Sequence, residues 1–109
     1  MFTRNEDGSF SMFYEIVMNE NEKEFYYAIS ADFEEIEIKR ILKTLEYWEN
    51  EPNEFKDYKV SNKYFCSQVG KDFFMIKGSK DNIFNLILGN ENSIREFKER
   101  IEIVLAQKK

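Results

Sequence analysis

The spacing of apolar residues in this chain switches between the period of a strand and that of a helix. The order of those switches restricts the fold to a mixed α+β class. Phe10, Met12, Tyr14, Ile16 and Met18 occupy every second position, the strand signature. Phe13 and Val17 point the opposite way, so this strand carries apolar groups on both faces. The polar run Asn19-Glu20-Asn21-Glu22 follows, and Phe25-Tyr26-Tyr27-Ala28-Ile29 reads as a second strand. Together they predict a hairpin with a loop of four or five residues. Tyr26 and Tyr27 are adjacent, so one of them must leave the helix-covered face.

The period then lengthens. Ile38, Ile41, Leu42, Leu45 and Trp48 form one helical stripe, with Lys39, Arg40, Lys43, Glu46 and Glu49 on the other side. Asp32, three residues before Glu35, is the expected cap of this helix. Glu34, Glu35 and Glu37 crowd its first turns, where the helix dipole favours acids. Pro52 ends it, because the residue before a proline avoids the α region.

Short strand-like runs come next. Phe55–Val60 is a short strand or a connection, Tyr64–Val69 a strand, and Asp72–Ile76 its partner across a Gly70-Lys71 turn. Asn82–Leu88, after a turn at Gly78–Asp81, is the most apolar run and is expected at the centre of a sheet. A final helix is expected to open at Ser93, with Glu96 completing a capping box, and to bury Ile94, Phe97, Ile101, Val104 and Leu105. The order β-β-α-β-β-β-α predicts a single α+β domain over residues 1–109. Its expected architecture is a mostly antiparallel sheet of about five strands with both helices on one face. At 109 residues such a chain buries enough surface for one core without staples.

What the sequence lacks limits its chemistry. It contains no His and one cysteine, Cys66, which excludes a Ser-His-Asp or Cys-His arrangement, an imidazole metal site and a thiolate zinc cluster. Its four glycines are isolated turn residues, not a phosphate loop. Cys66, between Phe65 and Ser67, reads as a small buried hydrophobe. No catalytic residue, metal or cofactor is expected, and the chain is expected to act through its surface, not as an enzyme. The first residues lack the apolar run of a signal peptide, and no run is long enough to span a membrane, so the expected compartment is the cytoplasm. Lys outnumbers Arg twelve to four and Asn occurs ten times, usage that points to an AT-rich bacterium or its phage.

Net charge is −5 and unevenly spread. Residues 1–57 carry fifteen acids against six bases, whereas residues 58–109 carry six against ten. An acidic half set with tyrosines suits recognition of a protein with a basic surface, through faster and more selective association. Direct nucleic-acid binding is disfavoured, since phosphate contact needs a basic stripe. The expected function is therefore protein binding, as a small acidic immunity or inhibitor protein that blocks a basic toxin such as a nuclease. Its size and character are similar to those of the immunity proteins that accompany secreted bacterial toxins, although no motif carries the likeness. The expected contact set is Glu20, Glu22, Glu24, Tyr26, Asp32, Glu34, Glu35 and Glu37. The alternatives are a phage-encoded inhibitor of a host defence protein and a dimeric secretion-chaperone-like module, so both monomer and homodimer remain open. A small-molecule sensor is a third reading, and it requires a cavity.

Overall fold

The long period-two run pairs further than its side chains suggest. The computed structural model describes residues 2–20, 23–79 and 85–107, with residues 14–20, 23–30 and 85 described by their backbone alone. A short strand β1, Phe2–Arg4, precedes β2, Phe10–Glu20, and β3, Lys23–Phe33. β2 and β3 are antiparallel from Phe10↔Phe33 to Glu20↔Lys23. Only residues 21 and 22 separate them, fewer than the four or five expected. The backbone ladder continues through the polar Asn19 and Glu20, because pairing uses main-chain groups that every residue carries. β1 adds to the other edge of β2 only from Phe2↔Met12 to Arg4↔Phe10. Its three residues are too few to show a period, which is why it was absent from the expected order.

The same extended pairing moves the start of the first helix. Asp32 lies inside β3 opposite Ser11, whose hydroxyl donates to the Asp32 carboxylate at 2.8 Å. Helix α1 spans Glu35–Asn50 and its cap is Glu34, not Asp32. The Glu34 N–H donates to the Glu37 carboxylate at 2.8 Å, satisfying a main-chain donor that the helix leaves over. The helix stops just before Pro52, as the sequence requires.

Four strands follow: β4 (Phe55–Lys59), β5 (Tyr64–Val69), β6 (Phe74–Gly78) and β7 (Asn85–Leu88). Gly70, at φ +72°, turns the chain between β5 and β6, and the Val69 N–H donates to the Phe73 carbonyl at 3.0 Å. This turn takes up residues 70–73, so β6 begins two residues later than expected. Among the described residues β7 pairs with β6 alone and is an edge strand, not a central one. Its apolar character has another source, since Leu86 and Leu88 face the core. Helix α2, Glu91–Ala106, is capped by Asn90, whose side chain accepts the Ser93 N–H at 2.8 Å, so Ser93 is inside the helix.

The chain is thus α+β, with two antiparallel sheets of three and four strands in place of one of five. The observed order is β-β-β-α-β-β-β-β-α. In the second sheet the rows Cys66–Ile76–Leu86 and Gln68–Phe74–Leu88 lie on one face, and all six residues are buried. Ile38, Ile41, Leu45 and Trp48 of α1 and Ile94, Phe97, Ile101 and Val104 of α2 belong to the same apolar cluster. Phe10, Met12 and Phe33 at the base of the hairpin complete it. Fully burying one such side chain is worth ~1.5–3 kcal/mol. Surface ion pairs contribute about 0–1 kcal/mol, so the cluster outweighs the charges around it.

Polar contacts then fix how the pieces meet. The Phe33 ring sits 4.4 Å from that of Tyr64, and the Tyr64 hydroxyl donates to the Asp32 carbonyl at 3.1 Å, joining the two sheets. Arg4 donates to Glu35 at 2.7 Å and to the Gln107 carbonyl at 2.6 Å, tying β1 to the start of α1 and the end of α2. Glu49 of α1 faces Arg95 and Lys98 of α2. Within α2, a hydrogen bond from Arg95 holds the Glu91 carboxyl below its ordinary range. That contribution is present above the unfolded carboxylate pKa and is lost as pH falls through the lowered folded one. Glu37, only 3% exposed, also accepts the Ser61 hydroxyl and so pins the loop after β4 to the first turn of α1.

Removing this buried carboxylate should matter more than removing a surface one. Glu37→Ala should cost about 2–3 kcal/mol, because it leaves the Glu34 N–H and the Ser61 hydroxyl without their acceptor. Glu49→Ala should cost less than ~1 kcal/mol. Denaturant midpoints of the two variants decide this, and equal losses would refute the role given to Glu37.

Candidate functional site

The seven carboxylates and one tyrosine expected to form one contact surface occupy unlike environments. Glu20, Glu24 and Tyr26 lie on the half of the hairpin remote from β1. Glu22 lies outside the described residues. Asp32 is exposed at the hairpin base, where it accepts from Ser11. Glu34 is exposed at the helix cap. Glu35 is half-buried and paired with Arg4 at 2.7 Å and Lys39 at 3.6 Å. Glu37 is buried and cannot meet a partner from its place beneath the cap; its charge is spent on the Glu34 N–H and Ser61. A charge run at a helix start therefore splits into exposed and structural members. Helical spacing separates them, since Glu37 lies four residues before Ile41 and seven before Thr44, both buried.

The hairpin itself has an unusual position. β2 pairs with β1 only through Met12, and β3 pairs with β2 alone. From Phe13↔Ser30 to Glu20↔Lys23, therefore, it is a two-stranded ribbon with no third strand among the described residues. Isolated two-stranded ribbons are marginal in water, and an unpaired edge is a template for another strand.

A second surface is the face of the four-stranded sheet turned away from the helices. Phe55 (75% exposed), Val69 and Ile87 are exposed there, beside the half-buried Phe65 and Met75. Phe55 is opposite Val69, and Ser67, Met75 and Ile87 form one row. Asp57, Lys59 and Lys77 share this face, and Asp57 accepts the Ser67 hydroxyl at 2.7 Å. Phe65 and Phe73 are thus half-buried and not central core, unlike Phe74, and Phe84 lies outside the described residues.

The third surface is concave. A cleft of about 350 Å³ opens between α1 and β4, lined by Arg40, Lys43, Thr44 and Tyr47 from the helix and Lys56, Tyr58, Lys59 and Val60 from the strand and its end. The helical residues are spaced i, i+3, i+4 and i+7, which brings all four to one side of α1. Four of the lining residues are cationic and none is acidic; Lys59 borders the cleft from the edge strand, its register placing it on the face that carries Asp57 and Phe65. The Arg40 guanidinium donates to the Val60 carbonyl at 2.7 Å, across the gap between helix and strand. Tyr47 and Tyr58 meet edge to face with centroids 5.9 Å apart. The Lys56 ammonium lies 4.3 Å from one ring centroid and 5.0 Å from the other. The Tyr58 hydroxyl is buried and has no hydrogen-bond partner among the described residues. The sequence reading missed this cleft because Arg40 and Lys43 look like an ordinary solvated helix side. The available signal was Tyr47 on the same stripe, followed by Lys56-Asp57-Tyr58-Lys59 immediately after the helix.

Reactive groups are few. Among the described residues no cluster of three or more His, Cys, Asp or Glu could hold a metal ion, and no helix is long and apolar enough to cross a membrane. Cys66 is fully buried on β5, and desolvation pushes its thiol well above the ordinary range. Because only the unfolded thiol ionises near its usual pKa of ~8.5, this group's contribution is complete below that pH and falls above it. An aromatic disulfide reagent at pH 8 should leave the native protein unlabelled and label it once in denaturant. Rapid native labelling would show that Cys66 is reached from solvent.

No family model, curated protein or solved structure matches this chain, so geometry and charge alone distinguish the three surfaces.

Proposed function

We propose that this is a protein-binding domain whose β2–β3 hairpin engages a partner with a basic surface, as a small inhibitor or immunity protein does when it plugs the cationic channel of a toxin. The observation that carries this reading is the two-stranded ribbon, which extends beyond β1 with both edges open among the described residues. Glu20 and Glu24 stand near its tip, and the sequence adds Glu22, against Lys23 as the sole base of that segment. A ribbon that gains little from its own core gains more from a strand or groove supplied by another chain. Acidic groups at its tip raise the rate of encounter with a cationic surface. A nuclease channel is such a surface, because it must hold phosphate. Asp32 and Glu34, exposed at the base, extend the same negative side.

A second reading rests on the open sheet face. Phe55, Val69 and Ile87 exposed together would suit self-association, as in a dimeric chaperone-like module. Light scattering on the purified chain separates the two: a tight dimer supports this face as a subunit interface, and a monomer favours the hairpin reading.

The hairpin reading predicts that Glu20→Lys, Glu22→Lys and Glu24→Lys together slow association with the authentic partner by about tenfold or more at low salt. High salt should shrink that difference. The partner, recovered with the wild-type chain from the source cell, should be basic at the contact. Binding that is indifferent to the triple reversal removes the hairpin from the interface.

A further inference from the structure

The cleft between α1 and β4 shares no residue with the hairpin, and protein recognition by the hairpin leaves it unexplained. Its composition runs against the rest of the molecule. The chain carries −5 overall, yet Arg40, Lys43, Lys56 and Lys59 converge on one concavity with no acid in its lining. Lysines on an edge strand such as β4 have a plain structural use, which is to discourage strand pairing between molecules. That use accounts for Lys56 and Lys59. It does not account for Arg40 and Lys43, which α1 presents to the same space, nor for the two tyrosines between them. Gathering four like charges opposes folding unless counterions or a ligand offset the repulsion.

We propose that this cleft binds a small phosphorylated molecule bearing a flat ring, with a mononucleotide as the simplest member of the class. Each part of the cleft answers to a part of such a ligand. A phosphomonoester carries about −1.5 to −2 charges on three acceptor oxygens, more than one carboxylate offers to four cations. Arg40 and Lys43 on one wall and Lys56 on the other present that charge from two sides, with Lys59 at the rim of the edge strand. Tyr47, Tyr58 and Val60 provide apolar area for a base, which would stack on a tyrosine ring by displacing the Lys56 ammonium, as bases stack on aromatic side chains in single-strand sites. Lys56 already lies over both rings, so these faces hold a cation beside the place where an anion would enter. A volume of about 350 Å³ is at the small end of the range for small-molecule sites, which suits one nucleotide and not a strand.

The test uses the full chain and four kinds of probe: the adenosine, guanosine, cytidine and uridine 5′-monophosphates, ribose 5-phosphate, adenosine, and a single-stranded hexanucleotide. Calorimetry gives affinity, and amide chemical shifts give the place of binding. At least one mononucleotide should saturate, with shifts confined to residues 40–47 and 55–60. It should bind about tenfold more tightly than ribose 5-phosphate or adenosine, and salt should weaken it. Lys43→Ala and Lys56→Ala, at exposed positions, should each weaken it about tenfold, the loss expected of one charge-assisted contact. Lys63→Ala, exposed and outside the cleft, should not. Thermal midpoints of the variants verify that they remain folded. The proposal is overturned by no saturation at millimolar probe, by equal binding of ribose 5-phosphate, by indifference to both lysine substitutions, or by a hexanucleotide that binds far more tightly than its monomers. The last result would assign the cleft to a nucleic-acid strand.

Discussion

The apolar base of the β2–β3 hairpin, sunk into the helices and the second sheet, is the contact on which the other parts of this structure depend. Phe10, Met12 and Phe33 are at most 1% exposed and belong to the cluster that Trp48, Phe74 and Phe97 share. Without them the helices would face the four-stranded sheet on one side and water on the other. With them the two sheets meet beside the start of α1, and Tyr64 locks the junction through its ring and its hydroxyl. The geometry also divides the hairpin. Its base is held by burial, whereas β3 and β2 beyond Phe13 are held by each other alone among the described residues. Burial thus anchors one end of the ribbon, and the proposed recognition falls to the other.

Charge is organised by the same logic. Glu37 stays buried because it serves a main-chain donor and a hydroxyl, and Glu35 stays near the surface because Arg4 reaches it from β1. Glu49, Glu91 and Glu102 are taken up by Arg95 and Lys98. The Lys98 ammonium donates a hydrogen bond to the Glu102 carboxylate at 2.8 Å, which raises its pKa against the lowering effect of burial. Several of the acids that give this chain its negative total are therefore internally compensated. The cations of the α1–β4 cleft are arranged differently, with no carboxylate in its lining. Net charge describes solubility and long-range steering, but it predicts poorly what any one concavity will accept.

Local signals in the sequence were strong where one residue type or one period is decisive. The helical stripes of α1 and α2, the stop before Pro52, the Gly70 turn and β5 at Tyr64–Val69 all follow from such signals. Helix caps were harder to read, since Asp32 and Ser93 are as suitable by type as Glu34 and Asn90. The choice fell to the strand that continues through Phe33 and to the extended backbone of Asn90 after β7. β1 escaped notice because three residues carry no period.

The sequence by itself determined the class of fold, the faces that are buried on each helix and the absence of imidazole and thiol-cluster chemistry, because these depend on neighbours a few residues apart. Tertiary structure alone decided that the strands divide into two sheets, that the apolar β7 is an edge, that Glu37 is lost to the interior and that four cations and two tyrosines meet in one cleft. Those outcomes depend on which distant segments pack together. Such packing is set by the shape of the whole apolar cluster, a quantity that no local spacing of residues contains.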